Sequence, residues 1–503
     1  MPEFKRVLVA NRGEIAVRVL RACQSLGLET VAVFSDADRD APHVRMATFA
    51  RNIGAPPASE SYLRADVLLQ VARETGADAV HPGYGFLSEN AGFAQAVMDA
   101  GLVWIGPSPH AIVAMGSKTG SRKLMQAAGV PLVPGTVEAI TDEAELIRLA
   151  EEMGYPVMLK AAAGGGGKGM RRVDDPDQLL SGFRAARSEA RNSFGDDAVY
   201  IEKFVVNPRH VEIQVLADMY GTTLHLFERD CSIQRRNQKV LEETPCPVLP
   251  EVTRQAMAQV AIQAARAVDY VGAGTVEFLF GGDGSFYFLE MNTRLQVEHP
   301  ITEMVTGIDL AQAQLRIAMG EPLWFAQDDL TMHGHAIECR VYAEDPAQNF
   351  SPAPGRITAY REPGGPFVRV DSGVTVGFEV PIYYDPMIAK LVVWGRTRDD
   401  AIARCDRALR EYRVSGIRTS IGFFRQVLAD PAFRSGVYTT GFITPEFLEG
   451  LSHGEERSEE LASIAAAIAQ FEVDHAPRPG ATRSEGSAWK RAARWKSSHR
   501  VKG

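Results

Sequence analysis

Residues 275–300 read TVEFLFGGDGSFYFLEMNTRLQVEHP, with two runs of aromatic and β-branched residues flanking Gly-Gly-Asp-Gly-Ser. Asp-Gly between two such runs is the strongest short-range hairpin signal. A two-residue turn at Asp283-Gly284 pairs Phe280 with Tyr287, Phe278 with Leu289 and Glu277 with Glu290. Directly opposed side chains on one sheet face sit roughly 4.5–5.5 Å apart, where like charges destabilise. Two carboxylates face to face on adjacent strands call for a cation between them. Mg²⁺ takes carboxylate oxygens at about 2.0–2.1 Å and commonly shares them with substrate phosphates. Asn292 adds a third oxygen on the face of Glu290, and Arg294 and Glu298 follow. The expected metal set is Glu277, Glu290 and Asn292. A longer loop would shift the register by one and separate the pair. The alternative is a surface hairpin with one wet, charged face; acids that interrupt apolar runs speak against it.

A chain of 503 residues is too long for one core, so two to four domains are expected. No apolar stretch approaches the ~18–20 residues of a membrane span. The opening MPEFKRVLVANRGEI enters a strand at once, without a signal-peptide core or a transit segment. Cys23, Cys231, Cys246, Cys339 and Cys405 are widely spaced and free of Cys-x-x-Cys. That pattern predicts a reducing, cytoplasmic setting rather than a disulfide framework or a zinc cluster. Net charge is −9, yet residues 478–503 carry eight Lys or Arg against one Glu. This surplus of seven positive charges leaves −16 for the rest. An acidic body does not suit a nucleic-acid enzyme. The basic tail, SAWKRAARWK with Trp489 and Trp495, reads either as a solvated segment or as a dock for an acidic partner.

The first hundred residues alternate strand and helix: strand 6–10, helix 15–26 with Ile15, Val19, Ala22 and Leu26 on one face, strand 30–35, helix 65–75, strand 78–81, helix 91–99 and strand 103–106. This is the rhythm of a parallel α/β unit. Only Asn11-Arg12-Gly13 stands at its first strand–helix turn, so no dinucleotide fingerprint is present. Residues 131–204 predict a small α+β insertion with strands 156–161 and 199–205 and a helix near 176–192. Residues 209–345 predict a larger antiparallel sheet. A β-rich stretch covers 350–395, followed by helices 399–413 and 420–429. A helix at about 458–472 would place Leu461, Ile464, Ile468 and Phe471 on one side. The domains expected are 1–115, 116–330 with a mobile lid at 131–204, 331–450, and a 451–503 extension.

GGGGKG at 164–169 follows a strand, where backbone N–H groups can cradle phosphate oxygens. It is no Walker A loop, since Gly169 rather than Ser or Thr follows Lys168. The kinase signatures are also missing. A glycine-rich loop on a small insertion predicts a lid over nucleotide phosphates. Lys118 and Lys160 are candidates to pair with those phosphates. Glu202 and Lys203, before Phe204 and Val205, are placed like a hinge that holds an adenine base. ERDCSIQRRNQKV (228–240) gathers Arg229, Arg235, Arg236 and Lys239 around Gln234, Asn237 and Gln238. It reads as a basic solvated loop or as a small-anion pocket.

HPGYGFLSEN (81–90), GGGGKGM, NPRHVEIQVL (207–216), ERDCSIQRRNQKV, EMNTRLQVEHP (290–300) and ECRVYAED (338–345) together resemble biotin carboxylase, an ATP-grasp enzyme, from about residue 4 to 448. The resemblance implies a multidomain α/β and α+β fold: a parallel N-terminal domain, an ATP-grasp lid and antiparallel central domain, and a β-rich C-terminal domain. It implies ATP-dependent carboxylation of biotin by bicarbonate. Lys118, Lys160, Gly166, Gly167, Glu202 to Val205, His210, Gln234 and Asn237 would then line the ATP site. Glu277, Glu290 and Asn292 would hold Mg²⁺ or Mn²⁺. Lys239, Arg294 and the Val297 backbone would grip bicarbonate, with Glu298 as the base that yields carboxyphosphate. Arg340 would stabilise the enolate-like oxygen of the biotin ureido ring, with Tyr84 close by. A homodimer is implied.

No Met-Lys dipeptide occurs, so the biotin carrier and the carboxyltransferase are expected on other chains, as in an acetyl- or acyl-CoA carboxylase. The alternatives are a subunit serving pyruvate or urea, and a silent nucleotide-binding scaffold. Intact Lys239, Arg294, Glu298 and Arg340 argue against the scaffold.

Overall fold

The computed structural model describes residues 4–136, 138–140, 142–161, 169–450, 464–468 and 470–471. Residues 1–448 form one compact unit and 449–503 another. In the second, residues 464–468 and 470–471 are helical, with Ile464, Ile468 and Phe471 exposed. Leu461 and the basic tail with Trp489 and Trp495 lie outside the described residues.

The opening strands are short and apolar, as strands covered on both faces must be. Arg6–Val9 (β1), Glu29–Phe34 (β2), Phe49–Asn52 (β3), Ala79–His81 (β4) and Val103–Trp104 (β5) form a parallel sheet in the order β3-β2-β1-β4-β5. Side chains alternate across it. Val7 and Val9 pack with Ile15 and Val19 of helix Gly13–Ser25, and Leu8 packs with Val31 and Val71 on the other side. β3 escaped the sequence reading because its edge position leaves Arg51 and Asn52 exposed.

Val157–Ala161 (β6), Met170–Val173 (β7) and Val199–Lys203 (β8) make a separate antiparallel sheet, ordered β7-β6-β8. Helices Glu143–Met153 and Pro176–Phe194 cover it, and Leu146, Leu159, Phe183 and Ile201 form its core. β8 stops at Lys203, so Phe204 and Val205 follow the strand rather than end it.

The central sheet is built from Arg209–Ala217 (β9), Thr223–Arg235 (β10), Gln238–Thr244 (β11), Gly272–Phe280 (β12), Phe286–Asn292 (β13) and His335–Tyr342 (β14). Strands Met387–Gly395 and Val368–Ser372 extend it. The order is β13-β12-β9-β10-β11-β14, then 387–395, then 368–372, with every pairing antiparallel. Every residue of β9 is buried, because both faces of the sheet are covered. A loop after Val368–Ser372 brings the C-terminal strands against the N-terminal helix. A Cβ on Gly373 would lie 2.5 Å from Glu14 N, so only glycine permits that approach. Among the described residues no helix is long and apolar enough to cross a membrane.

Two turns differ from expectation, each for a local reason. The opening hairpin does not turn on Asp283-Gly284 alone. Gly281 N–H donates to Ser285 O at 2.8 Å and Gly284 N–H to Gly281 O at 3.1 Å, closing a longer connection. Phe280 therefore pairs with Phe286 and Phe278 with Phe288, not with Tyr287 and Leu289. A bulge at Leu289 then absorbs the extra residue, and Glu277 still faces Glu290. Segment 228–240 is likewise no loop. β10 runs into β11 through Arg236 and Asn237, whose φ angles are 49° and 67°. Positive φ at both central residues suits the right-handed twist of a two-residue hairpin.

Candidate active site

A row of charge crosses four strands in register. Arg229 on β10 faces Glu212 on β9, Glu212 faces Glu277 on β12, and Glu277 faces Glu290 on β13. Arg229 is wholly buried, donating to Glu212, Gln214 and Thr302 at 2.6–2.8 Å. Lys239 joins the row because the β10–β11 register slips between Ile233–Leu241 and Gln234–Lys239. Such a bulge re-aims a side chain. Its Nζ reaches Glu277 Oε1 at 2.6 Å, Glu298 Oε1 at 2.7 Å, and Glu212 Oε2. Burial alone would make Lys239 give up its proton; the three carboxylates outweigh it and hold the ammonium firmly charged. Of the four basic residues expected in a small-anion pocket, only Lys239 takes this place. Arg229 serves the buried row, Arg235 pairs with Glu344 at 3.1 Å, and Arg236 is exposed.

Glu277 and Glu290 face each other with opposite fates. Burial opposes the charge on Glu277, but Lys239 and His210 outweigh it and keep it ionised. Glu290 lies exposed to the cleft, and the charge of Glu277, followed by desolvation, raises its proton affinity. Asn292 Nδ2 donates to Glu277 Oε1 at 2.8 Å, and Arg294 Nη2 donates to Asn292 Oδ1 at 3.0 Å. Two carboxylates and an amide oxygen are hard donors of the kind Mg²⁺ or Mn²⁺ takes. The electrostatic conflict at Glu290 is one a cation would relieve. The tightest acid clusters among the described residues are instead His210, Glu212, Glu277 and Glu212, Cys231, Glu298, which surround Lys239.

Glu298 is fully buried, held by Lys239 and by Arg340 Nη2 at 2.9 Å. Burial would raise its carboxyl; Lys239, Arg340 and Arg229 overcome this and keep it well below the usual carboxylate range. Arg340 Nε donates to Glu242 at 2.7 Å. Arg294 Nε donates to Glu89 Oε2 at 2.9 Å. Glu89, Lys239, Arg294 and Arg340 line a cleft of about 1170 Å³ together with Lys160, Glu202, Lys203, Phe204, Val205, His210, Gln234, Asn237 and Val297, while Glu298 and Glu242 are buried outside that lining.

The side of the cleft formed by the β7-β6-β8 sheet is tied by Glu202, which accepts from Arg122 and pairs with Lys160. Lys203 Nζ is anchored on Gly154 O and Tyr155 O at 2.8 and 3.2 Å. Gln234 Nε2 lies 2.9 Å from His210 Nδ1, and His210 Nε2 lies 2.8 Å from Glu277 Oε2, off the angle of a hydrogen bond. The Lys118 side chain, Gly166 and Gly167 lie outside what is described. Tyr84 stands apart from the cleft lining. Its loop is pinned by Asn11 Nδ2, which donates to Pro82 O and Tyr84 O at 2.7 Å each. Its hydroxyl donates to Glu14, which pairs with Lys390 at 3.2 Å. Lys390, wholly buried, donates to Val297 O at 2.8 Å.

Sequence reasoning missed Glu212, Glu89, Gln296, Glu14 and Lys390. Glu212 was legible only once β9 was paired with β12, since its acid interrupts the apolar run HVEIQV. Glu89 and Glu14 lie in loops and helix starts that long-range packing brings in.

Matches to known proteins follow the same layout. Residues 3–112 match the biotin carboxylase N-terminal domain, 117–325 the ATP-binding domain of the carbamoyl-phosphate synthase L chain, and 338–445 the biotin carboxylase C-terminal domain. A Nostoc protein named biotin carboxylase is 53% identical over 88% of this chain and 99% of its own length. A pyruvate carboxylase subunit from Methanothermobacter thermautotrophicus is 49% identical over 93% of this chain and 99% of its own. The Campylobacter jejuni biotin carboxylase–β,γ-ATP complex superposes with a TM-score of 0.84 at 46% identity, covering 88% of this chain and 98% of that one. The biotin carboxylase domain dimer of Hydrogenobacter thermophilus 2-oxoglutarate carboxylase, solved with MgADP, ADP and bicarbonate, gives 0.83 at 46% identity and the same coverage. On its site and on these relatives, the chain belongs to the biotin carboxylase family of ATP-dependent ligases.

Proposed function

We propose that this chain carboxylates biotin on a separate carrier protein, with ATP and bicarbonate as the other substrates. The observation that carries the reading is Glu298, buried and ionised between Lys239 and Arg340, which themselves line the cleft. Lys160, Glu202 to Val205, His210, Gln234 and Asn237 line the part assigned to ATP, with Lys118, Gly166 and Gly167 completing it. Glu277, Glu290 and Asn292 would hold Mg²⁺ or Mn²⁺, which would neutralise phosphate charge.

Lys239, Arg294 and the Val297 backbone fix bicarbonate beside Glu298. An oxygen of bicarbonate bonds to the γ-phosphorus, the bridging P–O bond to ADP breaks, and the bicarbonate proton passes to Glu298. A carboxylate held by two cations is a weak base. Bicarbonate is itself an anion, so its arrival offsets Lys239 and raises the basicity of Glu298 when it is needed. Carboxyphosphate then gives its carboxyl group to the ureido nitrogen. That nitrogen's proton leaves with the phosphate, and Arg340 faces the developing oxyanion with Tyr84 near the ring.

The final acceptor we assign is an acyl-CoA such as acetyl-CoA, met on a carboxyltransferase chain. The relatives' names span pyruvate and propionyl-CoA carboxylases, so pyruvate is the acceptor to test beside it. A homodimer is proposed by likeness to the dimeric 2-oxoglutarate carboxylase domain. The test is ATP cleavage by the purified chain with Mg²⁺ and bicarbonate, with and without free biotin. Stimulation that needs both, with carboxybiotin trapped as product, is expected. Arg340→Ala is expected to lose carboxybiotin while keeping bicarbonate-dependent ATP cleavage. ATP binding with no bicarbonate- or biotin-dependent turnover would overturn the reading in favour of a scaffold.

A further inference from the structure

Behind Arg340 stands a second pair of opposed carboxylates. β11 and β14 pair with Glu242 directly across from Glu338, so both side chains share one sheet face. Both are wholly buried. Glu242 Oε1 accepts from Arg340 Nε at 2.7 Å. Glu242 Oε2 and both oxygens of Glu338 have no donor among the described residues. Three buried acceptors without a donor are costly, and far more so if both groups are ionised. One proton on Glu338 removes a charge and supplies the missing donor. Opposed acids that cannot both ionise adopt this arrangement.

We propose that Glu338 acts as a neutral carboxylic acid that donates to Glu242 Oε2, and that Glu242, ionised and fixed by this bond, orients Arg340 toward the biotin ring. Glu338 is thus a positioning residue for biotin, and its role rests on the function proposed above. A carboxylic acid kept neutral by an apolar site so that it can donate a hydrogen bond is a known catalytic device.

The groups around the pair are consistent with one retained proton. Burial is the largest influence on both and raises both, Glu242 to about 7 and Glu338 well above the carboxylate range. Lys390 on strand Met387–Gly395 and Arg340 on β14 oppose that shift at Glu338; Glu242 and Glu298 reinforce it. At Glu242, Arg340 and Lys239 favour the ionised form and Glu298 disfavours it. Nearby Tyr84 and Tyr342, and the thiols of Cys231 and Cys339, are held above their ordinary values, mainly by burial, and stay neutral. Helix His299–Thr306, which follows Glu298, brings His299, pushed well down by burial and neutral. Each acid thus faces two cations, but only Glu242 accepts directly from one, Arg340, which makes Glu242 the acid that ionises.

Two measurements on the full chain test this. Infrared spectra at about pH 9, well above an ordinary carboxyl's range, are expected to show a protonated-carboxyl stretch that Glu338→Gln lacks. No such band would mean Glu338 is ionised and would overturn the proposal whatever the enzyme's activity. The second is kcat/KM for biotin against pH, expected to rise through about pH 7 as Glu242 ionises. Glu338→Met removes the donor without changing the bulk. It should move this rise upward by about one pH unit, a tenfold loss on its steep limb, with bicarbonate-dependent ATP cleavage kept. Glu338→Gln, with an amide donor in place, should recover most of that loss. An unmoved limb in Glu338→Met, or a Gln variant as impaired as the Met one, would overturn the role in positioning Arg340. Absence of biotin carboxylation in the unmodified chain would instead sink the proposed function, and the infrared result would still decide the proton.

Discussion

Glu242 and Glu243 are neighbours on β11 and point to opposite faces of the central sheet. Both are fully buried, yet their surroundings differ in every respect that matters to a carboxylate. Glu243 is saturated. Arg398 Nε and Nη2 donate at 2.7 and 2.9 Å, His335 Nε2 lies at 2.6 Å, and the Tyr438 hydroxyl also donates. Burial would raise its carboxyl, but the bonds from His335 and Arg398 hold it at about 2. Glu242 has one donor, Arg340, and one bare oxygen, and burial takes it to about 7. The same residue type in the same strand is a structural fastening on one face and an unsettled acid on the other. Unsatisfied polar groups are costly wherever they sit. On β11 and β14 the bare oxygens, Glu242 Oε2 and both of Glu338, lie on the face that carries Lys239, Glu298 and Arg340, which is where a reaction needs groups able to change partners.

The largest effect should come from the unsettled face. Glu298→Gln keeps the shape and removes the base, so bicarbonate-dependent ATP cleavage should fall about 10²–10⁴-fold, the usual worth of a positioned base. Thermal stability should fall as well, because Lys239 and Arg340 lose a buried carboxylate that they hold ionised. A variant with near-normal cleavage would break the contrast between the faces. The saturated face should answer in stability alone. Glu243→Gln leaves Arg398 and His335 without their carboxylate and should cost about 3–5 kcal/mol, measured by denaturant unfolding. The pH dependence has a definite sign. A carboxyl depressed from 4.5 to about 2 stabilises fully above its unfolded value and loses that contribution as pH falls through the folded one. About 3 kcal/mol should therefore disappear between pH 4.5 and about 2 in the unmodified chain. The variant should show a shallower slope in that window.

The faces also differ in how far they could be read beforehand. Glu277, Glu290, Arg294 and Glu298 lie within one short segment, and a local hairpin rule was enough to oppose the two acids. It was enough only because two departures cancelled. The longer connection at Gly281–Ser285 slipped the register, and the bulge at Leu289 slipped it back. Glu212 and Lys390 were out of reach, since each meets the site through strand pairings that cross many residues of chain. The partners of Glu243 come from β14, helix Arg398–Glu411 and Tyr438, so nothing near it in sequence announces its role. The basic segment 228–240 misled for another reason. Its charges looked solvated because the two-residue turn at Arg236-Asn237 contains no glycine, and Asn237 was read for its side chain rather than for its tolerance of positive φ.

The smallest effect predicted within the site falls on its exposed edge. Glu290 has the charge of Glu277 as the largest influence on its proton and is open to the cleft, unlike its buried partner. If the pair exists to hold a divalent cation, Glu290→Gln should weaken that cation about 10–100-fold, the range seen when one oxygen donor or its support is lost near a metal. The loss should be recovered at high Mg²⁺ in ATP cleavage and seen directly as weaker Mn²⁺ binding by paramagnetic resonance. Folding should be untouched or slightly improved, because the substitution relieves a like-charge pair and buries nothing new. Unchanged Mn²⁺ affinity together with raised stability would mean that Glu277 and Glu290 are merely opposed acids. The cation binder would then have to be sought in the cluster His210, Glu212 and Glu277 around Lys239. Weaker binding together with a stability gain would instead place Glu290 with Glu242, as an acid kept uncomfortable by the chain for what it must later hold.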